Sequence, residues 1–135
     1  MVQSSREWGT FDVVKGMLAL VPEGTSIPAS EPVLHSALHR LSHSLAYRTL
    51  LSDYVFRRRS YFPFCSEFQT DLTNLEMAGH LSNPNPGLEG YELRPKLRLT
   101  FEKYTRRLFS DPEFKALRAL SSKFMAFVNE EAARV

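Results

Sequence analysis

The chain has 135 residues, 43% hydrophobic and 24% charged, with a formal net charge of +2. That length fits one domain able to bury about two-thirds of its unfolded surface without staples, and so small a charge excess does not mark a polyanion binder, whose footprint depends on clustering. The lone cysteine, Cys65, excludes an internal disulfide and a cysteine-built zinc site and suits a reducing cytoplasm, while the apolar run Met17 to Val21 is too short for a signal peptide or membrane span.

Residues 1–8 read as a loose polar arm, and residues 9–135 as a single domain. Thr10 is placed to cap a first helix with Phe11, Val14, Leu18 and Val21 on one stripe, ended by Pro22-Glu23-Gly24. A second helix starts near Ser30, Glu31 and Pro32, since proline is tolerated in a first turn. Its Leu34, Leu38, Leu41 and Leu45 recur with the spacing of one buried face. The period then changes. Asp53 to Phe62, "DYVFRRRSYF", predicts a strand with Val55, Arg57, Arg59 and Tyr61 on one side, stopped by Pro63.

Ser66 and Gln69 form an S-x-x-Q capping box for a third helix, with Phe68, Leu72 and Leu75 inward and Gly79 as its stop. The two prolines and two glycines between Leu81 and Leu93 predict a hairpin with a prominent turn, the candidate wing. Pro95 opens a fourth helix with Leu97, Phe101, Tyr104 and Leu108 on one face. Asp111 and Pro112 restart the chain as cap and first residue of a last helix striped by Phe114, Leu117, Leu120, Phe124 and Phe127 or Val128. The fold class is therefore mainly α with a small β-sheet (α+β). It is a winged-helix-like domain with a strand between the second and third helices and further C-terminal helices.

The aromatic strand leading into Tyr61, Pro63, Phe64 and Ser66, followed by Asp71, Leu72, Leu75, Gly79 and Leu81, resembles the YwgA-like and Panacea-type winged-helix proteins of bacteria. The matching motif there is a "Y-G-P-F/Y-S" turn, then "x-L-x-x-D-L-x-x-L-x-x-x-G-x-L". The resemblance covers about residues 31–94, with Phe62 in place of the usual glycine and Cys65 inserted or shifted in the turn. It implies a winged-helix fold and, for Panacea-type domains, an antitoxin role exercised on a protein partner.

A groove-reading helix pairs its side chains with base edges while lying between two rows of phosphates. Gln69, Thr73 and Asn74 are suitable for that, but the same helix carries Glu67, Asp71 and Glu76 and no lysine or arginine, and the wing adds Glu89 and Glu92. Each close carboxylate–phosphate pair costs about 1 kcal/mol or more in low salt. About twenty residues also separate the second and third helices, where a tight helix-turn-helix uses three or four. The expected phosphate contacts are instead Arg57, Arg58, Arg59, Lys96, Arg98, Arg106 and Arg107, with Arg94 and Lys103 nearby, provided they converge on one stripe. The alternative is that they are solvated faces balanced by Glu102 and Asp111.

His35, His39 and His43 lie four residues apart, a spacing that lets two imidazoles chelate zinc or nickel. No carboxylate of the helix completes a site, and the three are expected to point outward as surface residues. Cys65 precedes a helix N-terminus near arginines, a setting that lowers a thiol pKa, but no histidine flanks it locally. No phosphate loop, nucleophile elbow or carboxylate pair is present, so neither enzyme activity nor a cofactor is expected.

The first functional reading is thus a non-catalytic interaction or regulatory module binding a protein partner through Tyr61, Phe64, Glu67, Asp71 and Asn74, within the aromatic segment Tyr54 to Phe64 and the acidic third helix. The wide apolar arc Phe124, Met125, Phe127 and Val128 adds the expectation of a homodimer. The second is a DNA-binding regulator gripping phosphates through Arg57 to Arg59, the wing and the fourth helix. Neither reading involves a membrane.

Overall fold

The computed structural model describes residues 7–59, 61–83 and 90–134. The fold is mainly helical with a small antiparallel sheet, as the α+β expectation requires. In chain order the elements are α1 (Thr10–Ala19), β1 (Ser26–Pro28), α2 (Glu31–Ser42), a 3-10 turn (Leu45–Tyr47), α3 (Arg48–Leu51), β2 (Arg57–Arg59), β3 (Phe62–Phe64), α4 (Ser66–Met77), β4 (Leu81–Ser82) and β5 (Gly90–Leu93). There follow α5 (Pro95–Thr100), a π turn (Phe101–Thr105), a 3-10 turn (Arg106–Leu108) and α6 (Asp111–Ala133). One sheet has the order β1-β5-β4, with Ile27 opposite Tyr91 and Leu81 opposite Leu93; β2 and β3 form a separate hairpin.

Every residue of α1 from Val13 to Ala19 is buried. A helix with no exposed face belongs at the centre of a core, and α1 packs against α4, α6 and the π turn. Gly16 permits the approach: a Cβ there would lie 2.5 Å from Leu117 Cδ2 and 2.8 Å from Phe101 Cε1. Ser121 on α6 donates its hydroxyl to the Met17 carbonyl at 2.6 Å, tying the helices at the same crossing. Trp8, expected in a loose arm, is buried and stacked on Phe109 at 5.4 Å. The rest of that arm, residues 1–6, and the wing tip, residues 84–89 with Glu89, lie outside the described residues.

Several caps differ from expectation. The first falls on Gly9, whose N–H donates to Asp12 Oδ2 at 2.9 Å, so Thr10 is already helical. Ser30 caps α2 as expected, accepting from the Val33 N–H. The S-x-x-Q box does not form: Cys65 is the N-cap of α4, Ser66 lies inside the helix, and Gln69 bonds elsewhere. Gly79 does stop α4. It takes φ +82°, and the Gly79 and His80 N–H groups return to the carbonyls of Glu76 and Leu75, a Schellman closure. At α6 the cap is Ser110, reciprocally bonded with Glu113, one residue earlier than Asp111.

Leu45 and Tyr104 leave their expected faces. The second helix ends at Ser42, so the leucine spacing breaks and Leu45 is exposed. At Phe101 the helix widens to i→i+5 hydrogen bonding. Four residues rather than three then return to the core side, which buries Thr105 and turns Tyr104 outward. Pro63 does not end a strand. It sits inside β3 opposite Arg58, on a two-stranded hairpin where no further strand needs its missing N–H. The single strand expected here is therefore two short ones, with Val55 and Tyr61 exposed beside them.

Overpacking a tight helix crossing costs about 1–3 kcal/mol. Gly16→Val is expected to lower the urea midpoint accordingly with an unchanged denaturant slope; a midpoint equal to wild type would show that the α1–α6 crossing is not close.

Candidate interaction surface

His35 organises the surface around α4. It is fully buried, contrary to the outward orientation expected. Its Nδ1 accepts the Cys65 backbone N–H at 3.1 Å and its Nε2 meets Gln69 Oε1 at 3.0 Å. Nδ1 must therefore be bare and Nε2 must carry the proton, which defines a neutral ring. The ring also stacks on Phe64 at 4.6 Å and meets the edge of Phe68. These contacts hold α2, the hairpin and the start of α4 together. Burial lowers the His35 pKa, with Arg59 adding to that effect against Gln69 and Glu31.

Of the three carboxylates expected at the surface of α4, one is taken into the core. Asp71 is buried, and burial raises its pKa despite a hydrogen bond from Thr10. Its Oδ2 finds no hydrogen-bond partner among the described residues. Glu67 is drawn back over the helix start, accepting from the Val55 N–H and the Cys65 thiol. Burial alone would raise its pKa, but these bonds and one from Ser66 outweigh that and lower it. Ser66, Thr70, Thr73, Asn74, Glu76 and Met77 face outward, the last 81% exposed. Of the partner-binding candidates, Tyr61 and Asn74 are exposed, Phe64 is half-buried under Arg59, Glu67 is half-exposed with its carboxylate bonded back to its own chain, and Asp71 is buried.

The basic candidates do not form one stripe. Arg57, Arg58 and Arg59 all lie exposed on β2. That hairpin adjoins the C-terminal end of α6, where Tyr61 and Phe62 border Glu131 and Arg134. Arg106 and Arg107 lie at the other end of α6 beside Asp111 and Phe114. Phe114 and Glu131 are about 25 Å apart along the helix at its standard rise. Several cations are also engaged. Lys96 donates to the Ala78 carbonyl at the end of α4, and Arg98 bonds the Val21 carbonyl and Glu23. Arg94 pairs with Glu92, and Arg106 pairs with Glu102 while covering the Phe114 ring.

The histidine row is split. His39 and His43 meet edge to face at 4.5 Å, while His35 turns into the core. Among the described residues no group of three or more His, Cys, Asp or Glu side chains is arranged to hold a metal. Cys65 is buried, and burial pushes its thiol up to about 11 rather than down. A histidine does neighbour it, but His35 takes the backbone N–H rather than the thiol. The apolar arc of α6 is partly covered from within the chain. Phe124 and Val128 are buried, and Arg40 lies 3.9 Å above Phe127 while pairing with Glu130 and Glu131. Sequence reading missed the roles of Arg40, Gln69 and His35, whose partners lie 91, 34 and 30 residues away. No local pattern could have pointed to them. No helix among the described residues is long and apolar enough to cross a membrane. In comparison with known proteins the chain matches no family model, no curated protein and no solved structure.

Because the His35 pKa is lowered from 6.5, the unfolded chain takes up protons first as pH falls through that value. Stability is therefore expected to be full above 6.5 and to decline below it, with His39 and His80 shifted in the same direction. Urea midpoints compared at about pH 7 and about pH 5.5 test this; His35→Gln should flatten the decline, and a midpoint that does not fall would refute the assignment. A thiol moved from 9.0 to about 11 has on the order of a hundredfold less thiolate at neutral pH. Iodoacetamide should accordingly label native Cys65 far more slowly than the urea-unfolded chain, and comparable rates would contradict its burial.

Proposed function

We propose that this chain is a non-catalytic interaction module of the winged-helix class that binds a protein partner. The observation that carries the reading is the state of its cations: Lys96, Arg98 and Arg106 are held by the chain's own carbonyls, carboxylates and rings. The remaining arginines divide between two ends of α6. A phosphate grip needs several free cations along one face. The winged-helix assignment is supported by α1, β1 and α2, followed after α3 and the β2–β3 hairpin by α4 and two paired strands, with β1 and β4 flanking β5. The surfaces offered to a partner are the outer face of α4, with Thr70, Thr73, Asn74 and Met77, and the hairpin with Tyr61. Following the resemblance to Panacea-type domains, the role is antitoxin-like or regulatory, and the setting cytoplasmic.

One observation favours the DNA alternative. Burial of Asp71 leaves Glu67, half-exposed, and Glu76 as the carboxylates at the helix surface, so the repulsion read from the sequence is smaller than three charges imply. Thr73 and Asn74 are then free to meet base edges.

Titration with random duplex DNA at about 50 mM and about 200 mM salt separates the two. The protein reading expects little retention even at the lower salt. Tight binding that falls steeply with salt and disappears in Arg57→Glu/Arg59→Glu would replace it with the DNA reading.

A further inference from the structure

We infer that the outer edge of β2 receives an extended, acidic segment of a partner protein, which adds to the β2–β3 hairpin as a third strand. The inference rests on the protein-binding reading above and names the chemistry of the partner.

The hairpin supplies an open edge. Arg57, Arg58 and Arg59 stand opposite Phe64, Pro63 and Phe62, and β2 pairs with no other strand among the described residues. Directly opposed residues in an antiparallel pair alternate between hydrogen-bonded and non-hydrogen-bonded. Pro63 has no N–H, so its pair with Arg58 must be non-hydrogen-bonded. The Arg58 N–H and C=O therefore face away from β3, into solvent. On β3 the same alternation turns the Pro63 backbone to the outer edge, where it has no N–H to donate to a further strand. Only the β2 side can accept another strand.

Charge selects the occupant. All three β2 residues are exposed arginines, and none has a carboxylate within ion-pair distance among the described residues. A second copy of β2 would set like charges against each other, which disfavours self-pairing. An acidic strand would be attracted. Strand alternation sends Arg57 and Arg59 to one face and Arg58 to the other. A duplex lying on either face would miss part of the set, whereas a peptide in the plane of the sheet carries alternate side chains to both faces and meets all three. Val55 and Tyr61, 51% and 76% exposed, sit just before and just after the strand and offer apolar contact at its ends.

The test uses the full chain, ¹⁵N-labelled, and the synthetic peptide Glu-Glu-Glu-Val-Glu-Glu-Glu, which carries carboxylates to both faces, at low salt. Strand addition should slow hydrogen exchange of the Arg58 amide on the order of tenfold at saturation. Replacing the central valine of the peptide by proline keeps its charge and should abolish that protection. Arg57→Glu/Arg58→Glu/Arg59→Glu should abolish binding; if that variant does not fold, the proline peptide on the wild-type chain decides. Equal binding of the two peptides, or shifts at the arginines with unchanged Arg58 exchange, would mean attraction by charge alone and overturn the inference. No peptide binding and no duplex binding would overturn strand addition while leaving a protein partner on α4. Retention of random duplex at about 150 mM salt, with peptide displaced from the same arginines, would overturn both.

Discussion

Both ring nitrogens of His35 are committed inside the core, one to the Cys65 N–H and the other to the Gln69 side chain. A buried polar group needs such partners, since leaving one unmade costs about 1–3 kcal/mol. Satisfying this imidazole brings the start of α4 back to α2 across the long segment that separates them. It also presents a flat surface for Phe64 to stack on, which presses β3 against α2 and leaves β2 outside. The exposure of the arginine strand and the placement of α4 both follow from that contact.

The same economy of partners governs the surface. Asp71 and Glu67 look on paper like an acidic helix face, yet each is drawn toward its own chain, to Thr10 in one case and to Val55 and Cys65 in the other. Many cations are likewise occupied: Lys96 closes the C-terminal end of α4, and Arg40 joins α2 to α6 through two carboxylates and a ring. A formal charge count therefore overstates what a ligand would meet. The exception is β2, where three exposed arginines stand in a row with no carboxylate in ion-pair distance among the described residues, although Arg59 lies over the Phe64 ring.

Buried polar groups also mark the seam between α1, α4 and α5. Lys15 and His80 are nearly inaccessible, and burial lowers the pKa of each; the charges of Lys15 and then Lys96 add to the effect at His80, while at Lys15 Asp12 opposes it and Lys96 adds to it. Thr100 gives its proton to the Lys96 carbonyl and so accepts from His80 Nε2–H, while Nδ1 has no partner among the described residues. Two buried histidines thus hold the two ends of α4, and burial opposes the protonation of each.

Helical periodicity was legible in the sequence wherever a face repeated over several turns. The leucines of α2 before Ser42, the inner face of α4, the α6 stripe and the proline-opened α5 were all placed by spacing alone, as was the Gly79 stop. Such features depend on residues within a turn of each other, and the chain encodes them locally. The three-residue β1 was not legible, because so short a strand has no period. Nor was the division of Asp53 to Phe64 into two short strands, Arg57–Arg59 and Phe62–Phe64, where the sequence reads as one run. The inward turn of His35, the burial of Asp71, the closeness at Gly16 and the sharing of Arg40 were decided only by tertiary structure. Each depends on a partner some 30 to 100 residues away in the chain, and a hydrogen bond or a helix crossing over that distance leaves no spacing to read.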